Sequence, residues 1–70
     1  MNLEQFKNYK ISELRPDDRF YFASDKNKKV WQVVELSLSF NNFRYCIIEN
    51  DYKQRRTIKQ NKDVVFLRNN

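Results

Sequence analysis

A chain with no glycine has to make every turn with residues that carry a Cβ, and this one has many turns to make. Five short stretches rich in aromatic and β-branched residues follow one another: Arg19 to Ala23, Val30 to Leu38, Phe43 to Ile48, Arg55 to Lys59 and Val64 to Leu67. Asn, Asp and Lys clusters separate them, which is the spacing of strands in a small antiparallel meander. The fold class expected is therefore all-β, in one domain spanning residues 1–70. No internal repeat, low-complexity tract or linker interrupts it.

A domain of this length buries only about 60 per cent of the surface its unfolded chain exposes, so its stability should be on the order of 3 to 10 kcal/mol. Six Phe, four Tyr and one Trp offset the small size, because each buries a large area at low entropic cost. Alternation puts Phe20 and Phe22 inside and Arg19 and Tyr21 outside. In the second stretch Val30, Val34, Leu36 and Leu38 share one parity and Trp31 and Val33 the other, so a bulge or sharp bend near Val33 is needed to reconcile them. The core expected is Phe20, Phe22, Val30, Val34, Leu36, Ile47, Ile58, Val64 and Phe66. Arg55, Arg56 and Lys59 make the fourth stretch an edge strand, its charge guarding it against pairing with other chains. Tyr45, sharing parity with Phe43 and Ile47, reads as core.

Turns are assigned by residue chemistry. Pro16 fixes φ ahead of Asp17 and Asp18, and Asn27 is the expected positive-φ residue of the first hairpin turn. Phe40-Asn41-Asn42 and Asn50-Asp51-Tyr52-Lys53 make the next two turns. In residues 1–10, Leu3 and Phe6, with Tyr9 or Lys10, share a helical face behind Asn2 as N-cap, so a short helical turn acting as a lid is expected there.

Leu14-Arg15-Pro16-Asp17-Asp18-Arg19-Phe20, Val30-Trp31-Gln32-Val33-Val34-Glu35 and the closing Val64-Val65-Phe66-Leu67 resemble the small SH3-like barrels. Many of these enter their first long strand through Leu-x-Pro-Gly-Asp-x-Phe/Val. The likeness covers roughly residues 11–68 and implies a five-stranded, strongly bent barrel. The chain departs from the pattern at Asp17, where those domains usually carry Gly. Such barrels bind nucleic acid, peptides and ribosomal components alike, so the resemblance implies no single function.

Catalytic chemistry is sparse. Histidine is absent, which removes the commonest general base and the commonest metal ligand together. The single cysteine, Cys46, lies in an apolar strand and cannot form an intramolecular disulfide or a Cys-rich zinc site. Asp17-Asp18 and Glu49-Asp51 sit beside turns, where Asp serves backbone hydrogen bonding. No phosphate-cradling glycine loop is possible. The expectation is a non-enzyme without cofactor or metal, cytoplasmic because its thiol is unpaired and no export or membrane-spanning segment is present, and a monomer or weak homodimer.

The net charge is +5, and its distribution is uneven. Residues 1–35 hold seven basic and six acidic groups, residues 36–70 seven basic and three acidic. From Lys53 to Lys62 five cations occur without a carboxylate. Arg44, Arg55, Arg56 and Lys59, with Tyr21 and Tyr52 as stacking groups, are the candidate contacts to nucleic acid or a ribonucleoprotein, because cations follow phosphates while aromatic faces stack on bases. The alternative partner is another protein, taken by strand addition or in a groove built from Tyr21 and Trp31. An exposed Trp31 beside Tyr21 favours that alternative, whereas a buried Trp31 leaves the basic edge as the main surface feature.

Overall fold

A computed structural model describes residues 8–69. Six strands, β1 (Asn8–Lys10), β2 (Asp18–Phe22), β3 (Trp31–Phe40), β4 (Phe43–Asn50), β5 (Arg55–Lys59) and β6 (Asp63–Asn69), form one antiparallel sheet in the order β1-β6-β2-β3-β4-β5. Strand accounts for 61% of the structure, with no α-helix among the described residues, which establishes the all-β class. The five-stranded barrel expected from the resemblance is corrected to six strands in an open sheet. The extra strand is β1. Most of the helical turn expected in residues 1–10 lies outside the described residues; its described end, Asn8–Lys10, is strand, because Asn8, Tyr9 and Lys10 pair with Val65, Val64 and Asp63.

β1 leads into a 3-10 turn at Ile11–Glu13. The Glu13 carboxylate accepts the Lys10 N–H, and the Ile11 and Ser12 amides donate to the Lys62 and Gln60 carbonyls. Ile11 is thereby fixed in the core, fully buried. Asp17 follows at φ 75°, so the site where SH3-like domains carry Gly does require the left-handed region here. Asp18, also buried, accepts the Arg15 N–H at 2.8 Å and the Asn69 amide at 2.6 Å, tying the entry of β2 to the end of β6. In the first hairpin Lys28, rather than Asn27, takes positive φ. Asp25 sets that outcome by accepting the N–H groups of both Asn27 and Lys29, which folds the turn around its carboxylate.

The core cluster is Ile11, Leu14, Phe20, Trp31, Val33, Cys46, Ile48 and Val64. Phe20 and Val64 are core as expected; Phe22, Leu36, Ile58 and Phe66 are half-buried against its margin. Val34 and Ile47 lie on the opposite face and Val30 outside the cluster, so these three core assignments are corrected. Register explains the reversal. Trp31 pairs with Asn50 and Val33 with Ile48, which sets Trp31, Val33, Ile48 and Cys46 on one face. β3 then slips twice against β4, between Val33 and Glu35 and between Glu35 and Leu38. The first slip is the bulge expected near Val33, and the pair returns Leu36 to the core side while Leu38 faces outward opposite Tyr45. Glu35 stabilises the irregular backbone, its Oε1 accepting the N–H groups of Leu36 and Ser37 and the Ser37 hydroxyl.

Candidate functional site

Strand alternation decides which cations can act together. β5 pairs with β4 as Lys59 to Tyr45, Ile58 to Cys46, Thr57 to Ile47, Arg56 to Ile48 and Arg55 to Glu49. Cys46 and Ile48 are buried, so Ile58 and Arg56 point to the core face, while Arg55, Thr57 and Lys59 point outward. The run Arg55, Arg56, Lys59 is therefore split across the sheet.

Each of the six sequence candidates has a distinct setting. Arg55 is held by Glu49, Nε to Oε2 at 2.8 Å, and this bond keeps the Glu49 carboxyl below the usual range. Arg56 lies over Trp31, its guanidinium carbon 5.4 Å from the ring centroid. Lys29 approaches the same indole at 5.3 Å and Tyr52 at 5.9 Å. Tyr52 is 79% exposed in the β4–β5 turn. Trp31 itself is buried beneath these groups. Tyr21 is half-buried on β2, three strands from β5 or about 14 Å across the sheet, and belongs to neither cluster.

Arg44 and Lys59 reach one cleft from opposite faces: alternation sets Arg44 with Cys46 and Gln60, and Lys59 with Tyr45. With Ser12, Phe43, Gln60 and Asn61 they line an open cleft of about 280 Å³ where β4 begins and β5 ends. Its floor is fixed by Gln60, a buried amide whose Nε2 donates to the Leu36 and Tyr45 carbonyls at 2.5 and 2.7 Å. The Gln60 N–H donates to the Arg44 carbonyl, so the last turn of β5 is locked to the first residues of β4. Lys59 Nζ stands 4.4 Å from the Phe43 ring centroid. Among the described residues no carboxylate lies within ion-pair distance of Arg44 or Lys59, and the lining includes no acidic residue.

The sequence reading missed Phe43, Ser12, Gln60 and Asn61. Phe43 was assigned to an apolar run but is 52% exposed, and Phe40, directly opposite, is 56% exposed. Tyr45, read as core, stands on the face away from Cys46, with its ring 5.7 Å from that of Phe40. One signal was available: Phe40 and Phe43 flank a two-residue turn, and a hairpin tip is the part of a sheet least covered by other elements.

No group of three or more His, Cys, Asp and Glu side chains converges among the described residues. No helix among them is long and apolar enough to cross a membrane. Burial pushes the Cys46 thiol up to about 11, which keeps it protonated and inert at neutral pH. Compared with known proteins, the chain matches no protein-family model, no curated sequence and no solved structure.

Proposed function

We propose that this is a non-catalytic binding module that holds nucleic acid, alone or in a ribonucleoprotein, at the cleft between Arg44 and Lys59. The observation that carries the reading is an open cleft lined by two cations and walled by an exposed aromatic ring, neither cation having a carboxylate partner among the described residues. Phosphates complement such a site because they need cations that are not already neutralised. Arg55, engaged by Glu49, and Arg56, over Trp31 on the core face, are not contacts in this proposal. The burial of Trp31 supports the same reading, since it removes the indole from any protein-docking groove. A distant SH3-like relationship and a cytoplasmic location are part of the proposal. So is a monomeric state: two copies pairing antiparallel through β5 about Thr57 would set Arg55 against Lys59, a like-charge opposition.

One observation favours a second reading. Among the described residues β5 pairs with β4 alone, and alternation turns the N–H and C=O groups of Arg55, Thr57 and Lys59 toward its other edge. An acidic extended peptide could add there as a strand.

Fluorescence anisotropy with a labelled oligonucleotide, followed as salt rises, separates the two. Binding should weaken steeply with salt, and Arg44→Gln with Lys59→Gln should flatten the log–log slope by about 0.7 for each cation removed. Arg68→Gln, the same charge change on β6 at the far side of the sheet, should leave the slope alone. Absence of binding by the wild type at low salt, or an unchanged slope in a folded double variant, would overturn the proposal. Capture of an acidic peptide under those conditions would transfer it to the β5 edge.

A further inference from the structure

The geometry points to nucleic acid with unpaired bases, stacked on the aromatic tip of the β3–β4 hairpin, as the ligand of this site; the inference rests on the polyanion reading of the Arg44–Lys59 cleft. Three large apolar side chains are described as exposed, and two of them, Phe40 and Phe43, are direct cross-strand partners. The turn between them consists of Asn41 and Asn42 alone, both at positive φ (51° and 67°), the backbone that closes a two-residue hairpin without splaying its strands. Among the described residues no other strand pairs beyond Tyr45 on the β4 side, so the tip stands clear of the rest of the sheet.

Both rings share the outward face with Tyr45, which leans on Phe40, and with Lys59, which stands over Phe43. Aromatic area is therefore continuous with the cation that lines the cleft. Adjacent exposed rings on a small monomer mark a contact surface rather than scattered apolar residues. Charge decides what kind: an apolar protein partner would have to bury Lys59, whereas a nucleotide supplies a flat π face for the rings and a phosphate for Lys59 at the same time. A duplex satisfies only half of this. Its base faces are hidden in the stack, so it can meet the cations and leave the rings unused.

The two classes of ligand are told apart by comparing a ten-nucleotide oligothymidylate with a duplex of equal length, using wild type, Phe40→Leu/Phe43→Leu and Arg44→Gln/Lys59→Gln. Leucine keeps the apolar bulk of these exposed positions and removes the π face, so folding should survive, as circular dichroism can verify. The single strand should bind wild type at least 10-fold more tightly than the duplex, and the Leu variant should lose roughly 10-fold or more toward the single strand with little change toward the duplex. The Gln variant should lose both. Equal affinity for the two ligands, or a Leu variant that binds the single strand as wild type does, would overturn the stacking inference while leaving the polyanion reading standing. No binding of either ligand would overturn both. A concentration-dependent dimer in sedimentation that the Leu variant abolishes would assign the rings to contact between copies and also overturn the inference.

Discussion

Among the described residues of this glycine-free chain five occupy the left-handed region: Asp17, Lys28, Asn41, Asn42 and Lys53. Asn and Asp tolerate it through local hydrogen bonding, but Lys has no such compensation, so Lys28 (φ 51°) and Lys53 (φ 64°) carry the Cβ–carbonyl clash in full. That clash costs about 1–2 kcal/mol per residue. Glycine removes it and gives back about 0.4–1 kcal/mol through the greater entropy of the unfolded chain. Lys28→Gly and Lys53→Gly should each stabilise the domain by about 0.5–1 kcal/mol, a rise in Tm of roughly 2–8 °C at this size. The two turns adjoin, Lys29 of one lying 5.9 Å from the Tyr52 ring of the other, so the double variant measures any coupling between them.

Lys26→Gly is the matched control. It removes the same charge from the same turn as Lys28, at a residue that is exposed and not at positive φ, and should destabilise by about 0.4–1 kcal/mol. Thermal and urea unfolding measured side by side read out the difference in sign. Should Lys28→Gly and Lys26→Gly destabilise alike, the clash is not the dominant cost in these turns and the reasoning fails. Asp17→Gly is an intermediate case: φ 75° favours glycine, but the Asp17 Oδ1 accepts the Gln32 amide at 3.1 Å, so the net change should fall between zero and a small gain.

Two further outcomes concern titration. The buried Cys46 thiol should react with a disulfide reagent at least 10-fold more slowly in the native protein than in urea. Because its pKa rises from 9.0 to about 11 on folding, the unfolded chain ionises first, so stability present below about pH 9 should fall as pH rises toward 11; native labelling as fast as denatured would refute this. At the acid end Glu35, held low chiefly by the Ser37 hydroxyl and then by the bulge amides, and Glu49, held low by Arg55, contribute stability above pH 4.5 that is lost as pH falls through their depressed values. A Glu35→Gln/Glu49→Gln variant should therefore show a flatter loss of urea midpoint between about pH 6 and 3, and an unchanged slope would show that other carboxylates govern acid unfolding.

How far the sequence discloses this molecule follows from which interactions are local. The β5 bounds, Arg55–Lys59, match the sequence stretch outright, and the other four stretches differ from their strands by one or two residues at their ends, because propensity and turn chemistry act over neighbours. Parity in β3 and β4 was not legible. Both faces of each strand carry apolar residues, and only register with Ile48 and Asn50 selects Trp31 and Val33 over Val34 and Leu38. β1 was missed for the same reason: Asn8–Lys10 becomes strand through Val64, Val65 and Asp63, more than fifty residues away in the chain.

The candidate site divides along the same line. A run of cations is visible in sequence, but a strand deals alternate members to opposite faces, so adjacency of Arg55 and Arg56 is evidence that they do not act together. Arg44 and Lys59 are fifteen residues apart, and the ladder that pairs Gln60 with Arg44 brings both to one cleft. In a small antiparallel sheet, cations that share a ligand are more reliably sought across a ladder than along a strand. Here the ladder partners of the outward β5 face are Tyr45, Ile47 and Glu49: the last neutralises Arg55, while at the aromatic end no carboxylate among the described residues pairs with Lys59. Among the described residues the face thus runs from a closed ion pair at one end to a cation without a carboxylate partner beside exposed rings at the other, which is why the proposed anion site is the hairpin tip and not the densest cluster of arginine in the sequence.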